Sequence, residues 1–486
     1  MTRSSYCIVA VLFIAISVHA ALTQSGGCYQ IGSADDLYEF AALFDTYDED
    51  ILATRLDCAK LTQDIVVNKN VLKADGTPND GSFKLWESIR SFEGTFDGQN
   101  HTISGLYQVE DEDLGLFHKM VGTIKNLGIV ESYFYVPIED YNSSNSLGAL
   151  VSYVGDSLII ENCFSSATVE SAPRGRGIAG LVGFVGKESK LTIRDSWNVG
   201  LISSDSTNGL GGLVGYANGL SKVSLINSYN AGTIRGNNDI GGLIGYADKL
   251  STITLTNSYN AGSVSGNNYV GGLIGFALQE RTRTEERFDK PENYGSAKFL
   301  VERCYNSGRI YSEEGYSGGL VGHGQGTIKE SYNIGAVDGA SGAGGLIGRT
   351  FLEDGTGDTL RIESSYNRGT VERIVPKSVP DSLMDLFYSY VGYVIGGFVG
   401  KVENVATLVA NSYNAADIVH DGKVENLLIG ADEYSDVKME NLANKKVANG
   451  TVYEGVVTAD DSLFNNGVVA TYLHDRGCFP MLSFGP

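Results

Sequence analysis

A two-part cassette recurs eight times between residues 148 and 418, and it confines the chain to a repeat fold. Its cleanest copies read Gly-Gly-Leu-Val-Gly-Tyr-Ala at 211–217, Gly-Gly-Leu-Ile-Gly-Tyr-Ala at 241–247 and Gly-Gly-Leu-Ile-Gly-Phe-Ala at 271–277. An apolar-alternating stretch follows each, then Asn-Ser-Tyr-Asn-Ala-Gly, as at 227–232 and 257–262. Units repeated at such a spacing bury their apolar faces only against their neighbours, which makes a solenoid.

The columns carry the prediction. Leu150, Leu181, Leu213, Leu243, Leu273, Leu320, Leu346 and Phe398 form one aliphatic column, suited to filling a lumen. Phe164, Trp197, Tyr229, Tyr259, Tyr305, Tyr332, Tyr366 and Tyr413 form an aromatic one that never becomes charged, so it reads as packed. Asn follows the ring from Asn198 onward, and stacked amides can bond from coil to coil. The glycine two positions later, as at Gly200 and Gly232, is expected to tolerate positive φ in a turn. Val or Ile closes each unit, and β-branched residues suit pleated strands. The predicted fold is all-β: a right-handed parallel β-helix with a short N-terminal helical cap.

Spacing along the Tyr column is 33, 32, 30, 46, 27, 34 and 47 residues. Charged insertions at 278–300 and 373–395 account for the long intervals and should emerge as loops. Ahead of the array, Ser33 and Asp36 form a capping box, and Leu37, Phe40, Ala41 and Phe44 make one helical stripe. The expected division is a signal peptide at 1–20, a cap at 21–110 with a helix at about 34–46, the solenoid at 111–430 and a C-terminal cap at 431–486. Within the last, 436–444 reads as a short helix.

Charge and cysteines bound the partners. A net charge of −22 excludes nucleic acid, which demands clustered Lys and Arg. The core repeats at 211–275 carry few charges and much Ser, Thr, Asn and Gly, a surface suited to glycans or a host or substrate surface. Arg3, the apolar run 7–18 and Val18-His19-Ala20 resemble a cleavable export signal, and no run is long enough for a transmembrane span. Loss of Cys7 with that signal leaves Cys28, Cys58, Cys163, Cys304 and Cys478. Cys28 and Cys58 flank the cap and are the disulfide candidate. Cys163 and Cys304 occupy the Ser slot four repeats apart, roughly 19 Å at one rung per repeat, and cannot pair with each other.

Gly-Gly-Leu-[Val/Ile]-Gly followed by Asn-Ser-Tyr-Asn-x-Gly-x-[Val/Ile] resembles the GLUG repeat of bacterial secreted and surface proteins, over roughly 110–420. Such repeats occur in adhesin-like proteins and beside the catalytic domain of IgA-specific metallopeptidases. The resemblance implies a β-solenoid outside the cytoplasm and no chemistry of its own. The chain lacks His-Glu-x-x-His, so peptidase activity does not transfer.

One column is left for function: Tyr153, Phe184, Tyr216, Tyr246, Phe276, then His323, Arg349 and Lys401. Arg and Lys are costly in a lumen, so the column is predicted to face outward. Its five aromatics form a candidate glycan-stacking stripe, unless turns cover the rings. The histidines show no metal-ligand spacing, and no pattern calls for a cofactor or a catalytic group. The expected function is that of a non-enzymatic, exported, adhesin-like or carbohydrate-binding surface protein. A polysaccharide lyase or hydrolase on a β-helix and a structural spacer are the alternatives.

Overall fold

The computed structural model describes residues 22–45, 55–110, 113–137, 145–172, 175, 177–277, 297–351, 359–375, 395–403, 405–420, 423–425, 428–433, 437–440, 442–445 and 456–459. The proposed signal, Cys478 and most of both insertions lie outside them. A representative coil runs through five short strands: Asn208–Gly211, Val214–Ala217, Lys222–Ile226, Tyr229–Asn230 and Ile234–Arg235. Each pairs in parallel with its counterpart one coil on, as in Val214↔Ile244, Leu225↔Leu255 and Ile234↔Val264. The molecule is therefore a parallel β-helix, its strands gathered into sheets of 34, 11 and 8 strands among the described residues.

Stacking starts before the cassettes. Cys28–Ile31 pairs in parallel with Cys58–Leu61, which pairs with the long strand Ile89–Ser104. A disulfide joins Cys28 to Cys58 across this first rung. The helix Ala34–Asp45 buries Leu37, Phe40 and Phe44 against the open end of the lumen. Its start is capped as the sequence implies: the Asp36 amide donates to Ser33 Oγ, and the Gly32 amide to Asp36 Oδ2. Phe40 and Phe44 meet Phe92 at ring separations of 5.4 and 5.0 Å, sealing the first coil. At the other end, the described residues of 436–444 are not helical. Val437–Glu440 and Leu442–Lys445 are strands that pair with the preceding coil, whose exposed edge offers more hydrogen bonds than an isolated short helix could make.

Two polar ladders pin the coils in register. Asn198, Asn230, Asn260, Asn306, Asn333, Asn367 and Asn414 are fully buried, and each Nδ2 donates to the next Oδ1 at 2.8–3.0 Å. Beside them the amide of each Ser-slot residue donates to the next slot's side chain: Cys163 to Ser196 Oγ, Ser196 to Ser228 Oγ, Ser258 to Cys304 Sγ, Cys304 to Ser331 Oγ. A thiol fits because the slot needs only a small acceptor. Burial pushes both thiols up to about 12, so neither is nucleophilic at neutral pH.

The glycine after Asn has a different role from the one its turn position suggests. The left-handed residue is the one before Ser, with φ near 50° at Asn162, Asn227 and Asn257. Gly232 is required instead for close approach: a Cβ there would lie 2.0 Å from the carbonyl oxygen of Gly200 in the coil before. Gly245 acts likewise, with a Cβ falling 2.5 Å from the Leu210 amide nitrogen. That closeness lets strands such as Asn208–Gly211 fold back tightly over strands such as Ile244–Ala247.

Candidate functional site

Both ring columns become stacks, with different surroundings. Phe164, Trp197, Tyr229, Tyr259, Tyr305, Tyr332, Tyr366 and Tyr413 form one continuous pile with centroids 4.6–5.7 Å apart and planes within 7° of parallel. Strand alternation puts these rings outside the lumen while the adjoining Asn points in. The first six are half-buried, whereas Tyr366 and Tyr413 are buried. This column, read from sequence as packed, thus presents its edge to solvent over most of its length.

The candidate stripe is the more covered of the two. Tyr153, Phe184, Tyr216, Tyr246 and Phe276 stack at 4.6–5.8 Å. Phe184 and Phe276 are only 4% and 5% exposed, and the three tyrosines are half-buried. The cause is the folded-back strand at each coil's start. A Cβ on Gly177 would lie 2.8 Å from Tyr216 Cβ, and Tyr269 sets its ring edge-on against Phe276 at 5.2 Å. Tyr269 is held at φ 51° in this position. The predicted open stripe is thereby corrected: Gly at 177 and 209 lets a strand close over the rings, which alternation alone does not reveal.

Neither stack offers ring faces to a ligand, because each face meets the next ring. Face-on sugar stacking is therefore unavailable along both columns except at their ends. The outer ladder does offer hydroxyls. Among the described residues no group hydrogen-bonds the phenols of Tyr229, Tyr259, Tyr305 or Tyr332. Burial raises all four above the ordinary tyrosine value, Tyr305 to about 12, so they stay protonated donors at neutral pH. An exposed side-chain row runs beside them, where Asn257 donates to Asn227, Asn227 to Asp195 and Arg303 to Asn257.

The basic end of the covered column is occupied internally. His323 is fully buried with neither ring nitrogen bonded, and burial together with Arg349 holds it well below its usual pKa. Arg349 lies 5.2 Å from the rings of Tyr316 and Phe351 and bonds Glu403 at 2.7 Å, while Lys401 bonds the other Glu403 oxygen at 2.8 Å. A second charged group unites Glu302, Arg303, Lys329 and Glu330 through contacts of 3.0–3.6 Å. Glu330 and Glu302 raise the Lys329 pKa, which keeps it an ammonium and unfit as a general base. Among the described residues, no group of three or more His, Cys, Asp or Glu is placed to hold a metal ion, and no helix is long and apolar enough to cross a membrane.

No protein-family model matches the sequence, and no curated protein does. A solved structure titled a "putative immunoglobulin A1 protease", from Bacteroides ovatus, is similar over 57% of this chain and 75% of that one, at 17% identity and a TM-score of 0.40. That likeness is too remote to speak for the chemistry of this chain.

Proposed function

We propose that the protein is a non-enzymatic β-solenoid of the GLUG-repeat kind, exported and adhesin-like, that binds extended uncharged glycans along the outer ring ladder. The carrying observation is the row of unpartnered phenol hydroxyls on Tyr229, Tyr259, Tyr305 and Tyr332, repeated at 4.6–5.0 Å. Ring edges carry the positive side of the aromatic quadrupole and so favour sugar oxygens. The contact is edge-on hydrogen bonding, in place of the face-on stacking that the sequence suggested. A polymer lying parallel to the axis would meet an equivalent donor on every rung, and many weak contacts add to useful affinity.

The test is binding of the full chain to a panel of soluble and insoluble polysaccharides, with reducing ends measured in parallel. The triple variant Tyr229→Phe/Tyr259→Phe/Tyr305→Phe keeps the stack and removes three hydroxyls. It is expected to weaken binding about tenfold or more, at roughly 1.4 kcal/mol per decade. Tyr216→Phe/Tyr246→Phe should leave binding unchanged. Release of reducing ends would show an enzyme instead, and no binding to any polysaccharide would show a spacer.

A further inference from the structure

The segment 61–89 does more than link two coils. Residues 71–79 form a tight hairpin: the Lys73 amide donates to the Thr77 carbonyl at 2.8 Å, Asn79 to Val71 at 2.8 Å, and Gly76 turns at φ 84°. Asp75 Oδ1 accepts from the Thr77 amide and hydroxyl, stiffening the tip. That tip reaches far along the array. Thr168 Oγ1, ninety-two residues on, donates to the Gly76 carbonyl at 2.6 Å. Between hairpin and coils lies a cleft of about 720 Å³ that spans the turns at Glu131, Ser166, Gly200 and Gly232. Its size falls within the usual range for small-ligand sites.

The floor of the cleft continues the ring ladder. Val199 and Ala231 follow Trp197 and Tyr229 by two residues, and period-two alternation puts them on the same outer face. Val199 is 45% exposed, an apolar surface that the solenoid itself leaves uncovered. The glycines beside them add no bulk, so the floor is low and flat. The walls carry Lys73 and Arg235 against Asp75 and Glu131, so the formal charges cancel. Hydroxyls of Ser166 and Thr233 border the floor, while the buried Thr168 hydroxyl is taken by Gly76. Cancelling charge, hydroxyl partners and a shallow aliphatic floor suit a ligand that is neutral, rich in hydroxyls and apolar on its C–H faces.

We infer that the cleft under hairpin 71–79 binds a short uncharged oligosaccharide, the leading segment of a chain whose remainder lies along the ladder. This rests on the glycan reading above and adds to it an anchoring site with a direction. The ligand would enter beneath the hairpin and run toward Tyr259 and Tyr305. The sequence signal is modest: Asp75-Gly76 between Leu72 and Thr77 is a hairpin pattern, but nothing in it tells where the tip lands.

The probes are tetrasaccharides of β-linked glucose, mannose and N-acetylglucosamine, titrated calorimetrically against the full chain. Ala231→Trp fills the floor at an exposed turn, and Thr168→Val unpins the hairpin without changing side-chain size. At least one tetrasaccharide should bind. Ala231→Trp should weaken it tenfold or more, Thr168→Val severalfold, and the triple Tyr→Phe ladder variant by less than twofold. Circular dichroism confirms that each variant folds. Failure of every tetrasaccharide to bind, or equal affinity in Ala231→Trp and the parent, overturns the cleft. Polymer binding that persists in either case leaves the ladder reading standing, so the two proposals fail separately.

Discussion

The two ring columns run through the same coils at the same pitch, yet they have become different things. The Phe164–Tyr413 ladder keeps its planes within 7° of parallel for eight rungs and never admits a charge. The covered column is looser from the start, with planes up to 18° apart, then tilts by 57° at His323 and gives way to Arg349 and Lys401. Each ladder ring is followed by a residue fixed in the buried amide or Ser165 position, so its backbone cannot shift relative to the next coil. The covered column has no such neighbour; Val185, Ala217, Gly324 and Thr350 vary beside it. A repeated ring stays a ladder where a second, hydrogen-bonded ladder holds the backbone beneath it.

Breaking that support should have the largest effect. Asn260→Leu takes one of the two bonds of Asn230 Nδ2, leaving that to the Gly232 carbonyl, and orphans Asn306 Oδ1 and the Gly262 carbonyl, all buried; it should cost about 4 kcal/mol in urea unfolding. A loss below about 1 kcal/mol would mean that the amides follow the stack and do not hold it. Truncating one ring in each column comes next. Tyr246→Ala, in the covered column, should cost about 3 kcal/mol and Tyr259→Ala about 1.5 kcal/mol, because the latter ring already faces water. The reverse order would contradict the assignment of covered and open columns.

His323→Phe should stabilise the protein by about 1 kcal/mol at neutral pH, since it replaces an unbonded imidazole between Phe276 and Arg349. It should also blunt acid sensitivity. Burial depresses the native pKa of His323, so the unfolded chain takes up a proton first, and stability falls as pH drops below about 6.5. Urea midpoints at pH 7 and pH 5 should differ less in the variant than in the parent. The gentlest comparison is an alkaline titration followed by phenolate absorbance. Burial raises the native pKa values of Tyr229, Tyr259 and Tyr305, so the unfolded chain ionises first and stability is lost as pH rises above about 10. Tyr229 should ionise before Tyr246, which is pushed further up by deeper burial and by Tyr216. Simultaneous ionisation would erase the distinction between the columns.

Leu213, Asn230 and Ile234 show why the coil could be read from the chain: each recurs with one chemistry, and each has one place in a rung where that chemistry works. Tyr216 shows the limit. Its alternation excludes the lumen, but coverage depends on the strand Gly177–Ala179, nearly forty residues earlier, whose approach is set by Gly177. The exposure of Tyr259 was hidden for the opposite reason, since a ring stacked on both faces tolerates as little substitution as a core residue. The cleft needed the landing point of Gly76 on Thr168, a contact across ninety-two residues that no local pattern encodes.

The constancy of the amide ladder has one more implication. Asn260 and Asn306 are 46 residues apart and Asn230 and Asn260 only 30, yet both pairs bond at 2.8 Å. Coil length is thus decoupled from pitch: Ile274–Ala277 and Lys298–Glu302 hold their rungs regardless of what lies between them. Peptide segments inserted between residues 277 and 297 should therefore be displayed without melting the rod, making this junction a grafting site on a scaffold whose length can be set rung by rung.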